Sequence, residues 1–169
     1  MKPGIQYFVR IFFSVGLIFG LLMGVNPPKF DGFYFTQFWY SFLLFGGIFG
    51  LVSTLVQVNA VKKLGIVDYS IDDLGVKHKR SIHNKLDLRT LMDELKKEDY
   101  FSKAEFAIEA GKVTIKKKRS FFLPAEKIEI TKPSSATMEV ISSPASGAPI
   151  MDGGGNLKNV IFMQELLEK

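Results

Sequence analysis

Few residues of this chain could do chemistry. Two histidines and no cysteine occur among its 169 residues, so thiolate metal sites, disulfides and cysteine nucleophiles are excluded. His78 and His83 do not share a face and have no carboxylate partner at a useful spacing. Neither a metal site nor a general base is expected of them. Asp68, Asp72 and Asp73 surround a turn signal, and turn chemistry accounts for them. "GGGN", Gly153 to Asn156, opens a helical pattern whose first amides could hold an anion. It lacks the Lys-Ser/Thr of a P-loop and the spacing of a dinucleotide fingerprint. Serines crowd residues 134 to 146 without a G-x-S-x-G elbow. No catalytic residue, metal or cofactor is expected, and the enzyme reading ranks last.

"VTIKKKRSFFLP", residues 113 to 124, has three readings: a nucleic-acid patch, a membrane-docking edge, or a charged strand tip. Charge partition decides against the first. Through Lys63 the cations Lys2, Arg10, Lys29, Lys62 and Lys63 face the single acid Asp31. From Leu64 onward, 17 Lys and Arg face 16 Asp and Glu. A nearly neutral domain lacks the broad basic footprint of a nucleic-acid binder, so no nucleic-acid partner is expected.

The elements that would position such groups begin with two apolar runs. Tyr7 to Val25 has one charge, Arg10, near its start, and Phe38 to Val61 has none. As helices they measure roughly 28 and 36 Å, enough to cross a bilayer. Paired prolines, Pro27 and Pro28, follow the first run in place of a signal-peptidase site. Residues 1–63 are therefore read as a transmembrane hairpin, with spans at about 7–25 and 38–61 and an external loop at 26–37. Lys2, Arg10, Lys62 and Lys63 flank one side, which puts both termini in the cytoplasm by the positive-inside rule. Phe30, Phe33, Tyr34, Phe35, Phe38, Trp39 and Tyr40 form an interfacial aromatic belt on the other side. Gly16, Gly20 and Gly24 recur every fourth residue, as do Gly46 and Gly50. Small residues at this spacing let helices pack closely in lipid. The first reading is packing of the two spans on each other. The second is homo-oligomerisation, or docking on a membrane protein partner, through the same glycine faces. Neither span carries Asp, Glu or His, which argues against transport by the hairpin.

Residues 64–169 read as a small cytoplasmic α+β domain with a mainly antiparallel sheet and a C-terminal helix. "IVDYSI" and "VKHKRSI" flank "DDLG" and are expected to pair as a hairpin. "LDLRTLMDELKK" sets Leu88, Leu91, Met92 and Leu95 on one helix face, with Asp87 as N-cap. In "AEFAIEAGKVTIKKKR" an Ala110-Gly111 turn would set Ile108 opposite Val113 and Phe106 opposite Ile115. The other face would then pair Glu109 with Lys112 and Glu105 with Lys116. A Pro/Gly/Ser-rich loop, 143–156, precedes a closing helix with Leu157, Val160, Ile161, Gln164 and Leu167 in a stripe and Asn156 as its cap.

"YSIDDLGVKHK", Tyr69 to Lys79, with the strands after it and the final helix, resembles bacterial pleckstrin-homology-like domains that follow paired spans. The helix expected at 87–97 departs from that pattern. The resemblance implies a compact sheet that docks lipids or proteins.

The sequence thus predicts a multi-pass cell-membrane protein presenting a non-catalytic interaction domain, a scaffold or accessory subunit, at the inner surface. The alternative is a sensor of anionic lipid headgroups, with Lys62, Lys63, Lys117, Lys118 and Arg119 on the headgroups and Phe121 and Phe122 inserted. A membrane-associated enzyme is the last alternative.

Overall fold

A computed structural model of the chain describes residues 2–25, 33–118, 125–145 and 152–168. It divides into two compact units, Met1–Leu74 and Gly75–Lys169.

In the first unit α1 spans Pro3–Gly24 and α2 spans Phe35–Lys63. Both are long and apolar enough to cross a membrane. Proline in the first turn of α1 costs no hydrogen bond, because the amides there have no partner within the helix. Lys62 and Lys63 lie in the last turn of α2, where cations suit the helix dipole. The chain then folds into a 3-10 turn at Asp72–Leu74. The paired strand expected from "IVDYSI" is not formed. Instead Ser70 donates to Asp73 Oδ2 from both its amide and its hydroxyl, each at 2.8 Å. Gln57 Nε2 of α2 donates to Leu74 O at 3.1 Å. These side-chain bonds satisfy the local backbone in place of a ladder.

The second unit is a five-stranded antiparallel sheet with two helices. Its elements are β1 (His78–His83), α3 (Leu88–Lys97), a 3-10 turn (Asp99–Phe101), β2 (Ala104–Glu109), β3 (Lys112–Lys117), β4 (Glu126–Ser134), β5 (Thr137–Pro144) and α4 (Gly155–Leu167). The strand order is β1-β5-β4-β3-β2. Alternation puts Ile82, Val113, Ile115, Ile128, Ile130, Met138 and Val140 on one face, all fully buried. Leu91 and Leu95 of α3, Leu157, Val160 and Met163 of α4, and Phe101 complete the core. Asp87 caps α3 as expected, accepting from the amides of Arg89 and Thr90.

The β2–β3 register is the one the sequence predicts, with Ile108 opposite Val113 and Phe106 opposite Ile115. Ala110 and Gly111 both have positive φ, 48° and 74°, as a twisted two-residue hairpin turn requires. The ion pairs differ from expectation. Lys112 pairs with Glu129 on β4 at 2.6 Å, and Glu105 pairs with Lys118 at 3.2 Å. A β3 side chain has neighbours on both flanking strands, and Glu129 also draws Lys127, at 3.1 Å.

Candidate functional site

The expected site residues fall in two places. The first is the contact between α1 and α2. Gly16, Gly20, Gly24, Gly46 and Gly50 are all buried there. A Cβ at Gly16 would stand 2.8 Å from Phe42 O, and one at Gly46 only 2.6 Å from Phe12 O. At Gly20 the nearest atoms are those of the Phe38 ring, at 2.9 Å. The helix backbones therefore approach as closely as glycine allows. Gly47, on another face of α2, would meet nothing within 4 Å. Ser41, Ser53 and Gln57 are buried, whereas Phe13, Ile18, Leu22, Leu43, Ile48 and Leu55 are each more than half exposed.

The second place is the sheet unit, where the cations of the opening stretch separate. Lys117 lies on the inner face of β3, with its Nζ 3.3 Å from the Tyr100 ring centroid. That ring stacks on Phe162 at 4.2 Å between centroids. Lys118 is exposed and paired with Glu105. Lys62 and Lys63 are exposed. Arg119, Phe121 and Phe122 lie outside the described residues.

Beside Lys117 runs a polar chain that sequence reasoning missed. Tyr100 OH donates to Asn159 Oδ1 at 2.7 Å. Asn159 Nδ2 donates to Glu126 Oε2 at 2.9 Å and to Ser142 Oγ at 3.0 Å. Ser142 Oγ donates to Asn156 Oδ1 at 2.7 Å, and Asn156 Nδ2 donates to Val76 O at 2.9 Å. Glu126, Ser142, Asn156 and Asn159 are at most 2% exposed. Its signal in the sequence was phase. Glu126 stands two before Ile128 and Ser142 two after Val140, so alternation points both inward. Along this run donors meet acceptors inside the fold, and Glu126, Ser142, Asn156 and Asn159 are shielded from solvent. The run fixes α4 on the sheet.

Asn156 is thus not the cap of α4. Asp152, fully buried, takes that task and accepts from the amides of Gly154 at 2.9 Å and Asn156 at 2.8 Å. The anion position at "GGGN" is filled by the chain's own carboxylate. His78 Nε2 donates to Gly75 O at 2.8 Å, while His83 is exposed at the end of β1. Among the described residues no group of three His, Asp or Glu is placed to hold a metal ion.

On the outer face of the sheet, the Lys112 ammonium that hydrogen-bonds Glu129 holds its carboxyl below the usual glutamate range, with Lys127 adding to the effect. The hydrogen bond from the Thr90 hydroxyl lowers Asp87 in the same direction. Both are consequences of structural bonds.

Comparison with known proteins finds no match to a family model, to a curated protein or to a solved structure.

Proposed function

We propose that this chain is an integral membrane protein whose two helices insert as a hairpin and present the sheet unit at the cytoplasmic surface as a non-catalytic interaction domain. The observation that carries the reading is the cover of large apolar side chains on the outward faces of α1 and α2. Only 28% and 33% of their apolar windows are buried, which favours lipid-facing helices over core helices of a soluble fold. The glycines, Ser41, Ser53 and Gln57 face the helix contact beside Tyr7, Val15, Phe42 and Val61, and large apolar side chains also cover the outward faces. Water penalises that arrangement and lipid favours it. Exposed Phe35, Trp39 and Tyr40 at the start of α2 suit a membrane interface. The cations Lys2, Arg10, Lys62 and Lys63 favour cytoplasmic termini.

Lipid sensing by the 117–122 stretch draws less support, because Lys117 is engaged by Tyr100 and Lys118 by Glu105. Catalysis draws less still, since the buried polar chain lies out of reach of solvent.

The test is carbonate extraction of membranes containing the full chain, with a single cysteine at Ser135→Cys for labelling. Retention in the pellet, with labelling by an impermeant maleimide only after the membrane is opened, is expected. Release into the supernatant overturns the hairpin; labelling of intact cells overturns the orientation.

A further inference from the structure

The sheet has two edges, β1 and β2, with no further strand beside either among the described residues. Successive antiparallel pairings along the order β1-β5-β4-β3-β2 make β1 and β2 run in the same direction. Unpaired edges template association unless their side chains forbid it.

The free backbone groups on each edge follow from the pairing. In the two-residue turn at Ala110-Gly111, Glu109 and Lys112 are the hydrogen-bonded pair. Glu109, Ala107 and Glu105 therefore bond β3, and Ala104, Phe106 and Ile108 point their amides and carbonyls outward. On the opposite edge Asn84 N–H donates to Ala136 O at 3.0 Å. The same parity turns Ile82, Arg80 and His78 toward β5 and leaves Lys79, Ser81 and His83 with outward groups. In an antiparallel pairing these two sets would set the inner face of one sheet beside the outer face of the other. In a parallel pairing they interleave with both faces continuous.

We propose that the sheet unit assembles head to tail with a second copy of the chain, the β2 edge of one lying parallel to the β1 edge of the next. Charge and size select one register. Glu105 then faces Lys79, Phe106 faces Arg80, Ala107 faces Ser81, Ile108 faces Ile82 and Glu109 faces His83. A slip of two residues either way leaves one of the glutamates opposite Ser81. Ile108, 40% exposed in the single chain, gains apolar cover. Lys79 and Glu105 now pair with Glu139 and Lys118, but Lys79, Glu105 and Lys118 are each more than half exposed. Such pairs exchange at little cost. Like edges bring like charge together, Glu105 and Glu109 on two β2 edges and Lys79 and Arg80 on two β1 edges, whereas the unlike edges are complementary. The contact is therefore heterologous, and it extends as a row or closes as a ring in which every copy keeps the same sense. This inference does not depend on the membrane reading.

The chain has no native cysteine, so engineered pairs report cleanly. Full-length Ser81→Cys and Ala107→Cys chains are mixed in detergent micelles and mildly oxidised. A mixed dimer is expected, absent from either variant alone, since paired strands about 4.8 Å apart are within disulfide reach. Both substitutions in one chain should give a ladder of oligomers. An internal bridge is impossible across four strand spacings, about 19 Å. Glu105→Lys with Glu109→Lys in the Ala107→Cys chain should abolish the mixed dimer, and Lys79→Glu with His83→Glu in the partner should restore it. No mixed dimer, equal cross-linking of each variant with itself, or a mixed dimer that survives reversal of the glutamates would each overturn the proposal.

Discussion

The carbonyl oxygen of Phe12 faces Gly46 so closely that a Cβ on that glycine would stand 2.6 Å away. The obstacle is backbone, so the helices themselves must separate to admit a methyl group. Gly46→Ala should weaken the α1–α2 contact by about 1–3 kcal/mol, the usual cost of overpacking. Gly47→Ala, with nothing within 4 Å, should instead help by up to about 1 kcal/mol through helix propensity. Thermal unfolding of the two variants in the same detergent checks the opposite signs.

Ala110 holds φ at 48° in the β2–β3 turn, a region costing a side-chain-bearing residue about 1–2 kcal/mol. Ala110→Asn creates the Asn-Gly pair this turn prefers. Slower amide exchange in β2 and β3 is the expected outcome; faster exchange would mean that another turn is formed.

Asn159 ties α4 to Tyr100, Glu126 and Ser142. Asn159→Ala removes one hydrogen-bond partner from each of these three side chains and should cost about 2–3 kcal/mol. Denaturant titration of the full chain followed by far-UV circular dichroism reads it. A change within experimental error would mean that water replaces the amide.

Glu129 titrates below its ordinary value because Lys112, foremost, hydrogen-bonds its charged form. A folded-state value below the unfolded one gives stability that is complete above about pH 4.3. That stability is lost as pH falls from there through the folded value. Glu129→Gln should therefore lower stability at neutral pH, with the gap to the native chain closing under acid. Melting temperatures of both chains from pH 7 downward check the convergence.

Local alternation carried much of this fold in the sequence. The β2–β3 register was legible because Phe106, Ile108, Val113 and Ile115 fall in phase and Ala110-Gly111 separates them by two residues. Asp87 was legible as a cap because it immediately precedes the apolar stripe. The "IVDYSI" strand was misread because alternation cannot say which partner a strand will find. β1 pairs with β5, the last strand in sequence, and the residues before it turn on Ser70, Asp73 and Gln57. The buried polar chain was hidden for a related reason. Asn156 looks like a cap, and Asn159 carries no signal of its own, until α4 is set on the sheet. Only then do they meet Ser142 and Glu126, which come from separate strands.

Asp152 serves α4 as a built-in anion. Gly153 and Gly154 take φ of 63° and 72° ahead of α4, and consecutive amides of such a loop form a concave receptor for negative charge. Here the guest is covalently attached. Removing the carboxylate with Asp152→Ser would vacate the seat and leave a free oxyanion to compete for it. The closing helix thus carries its own counter-charge, and a single side chain supplies it.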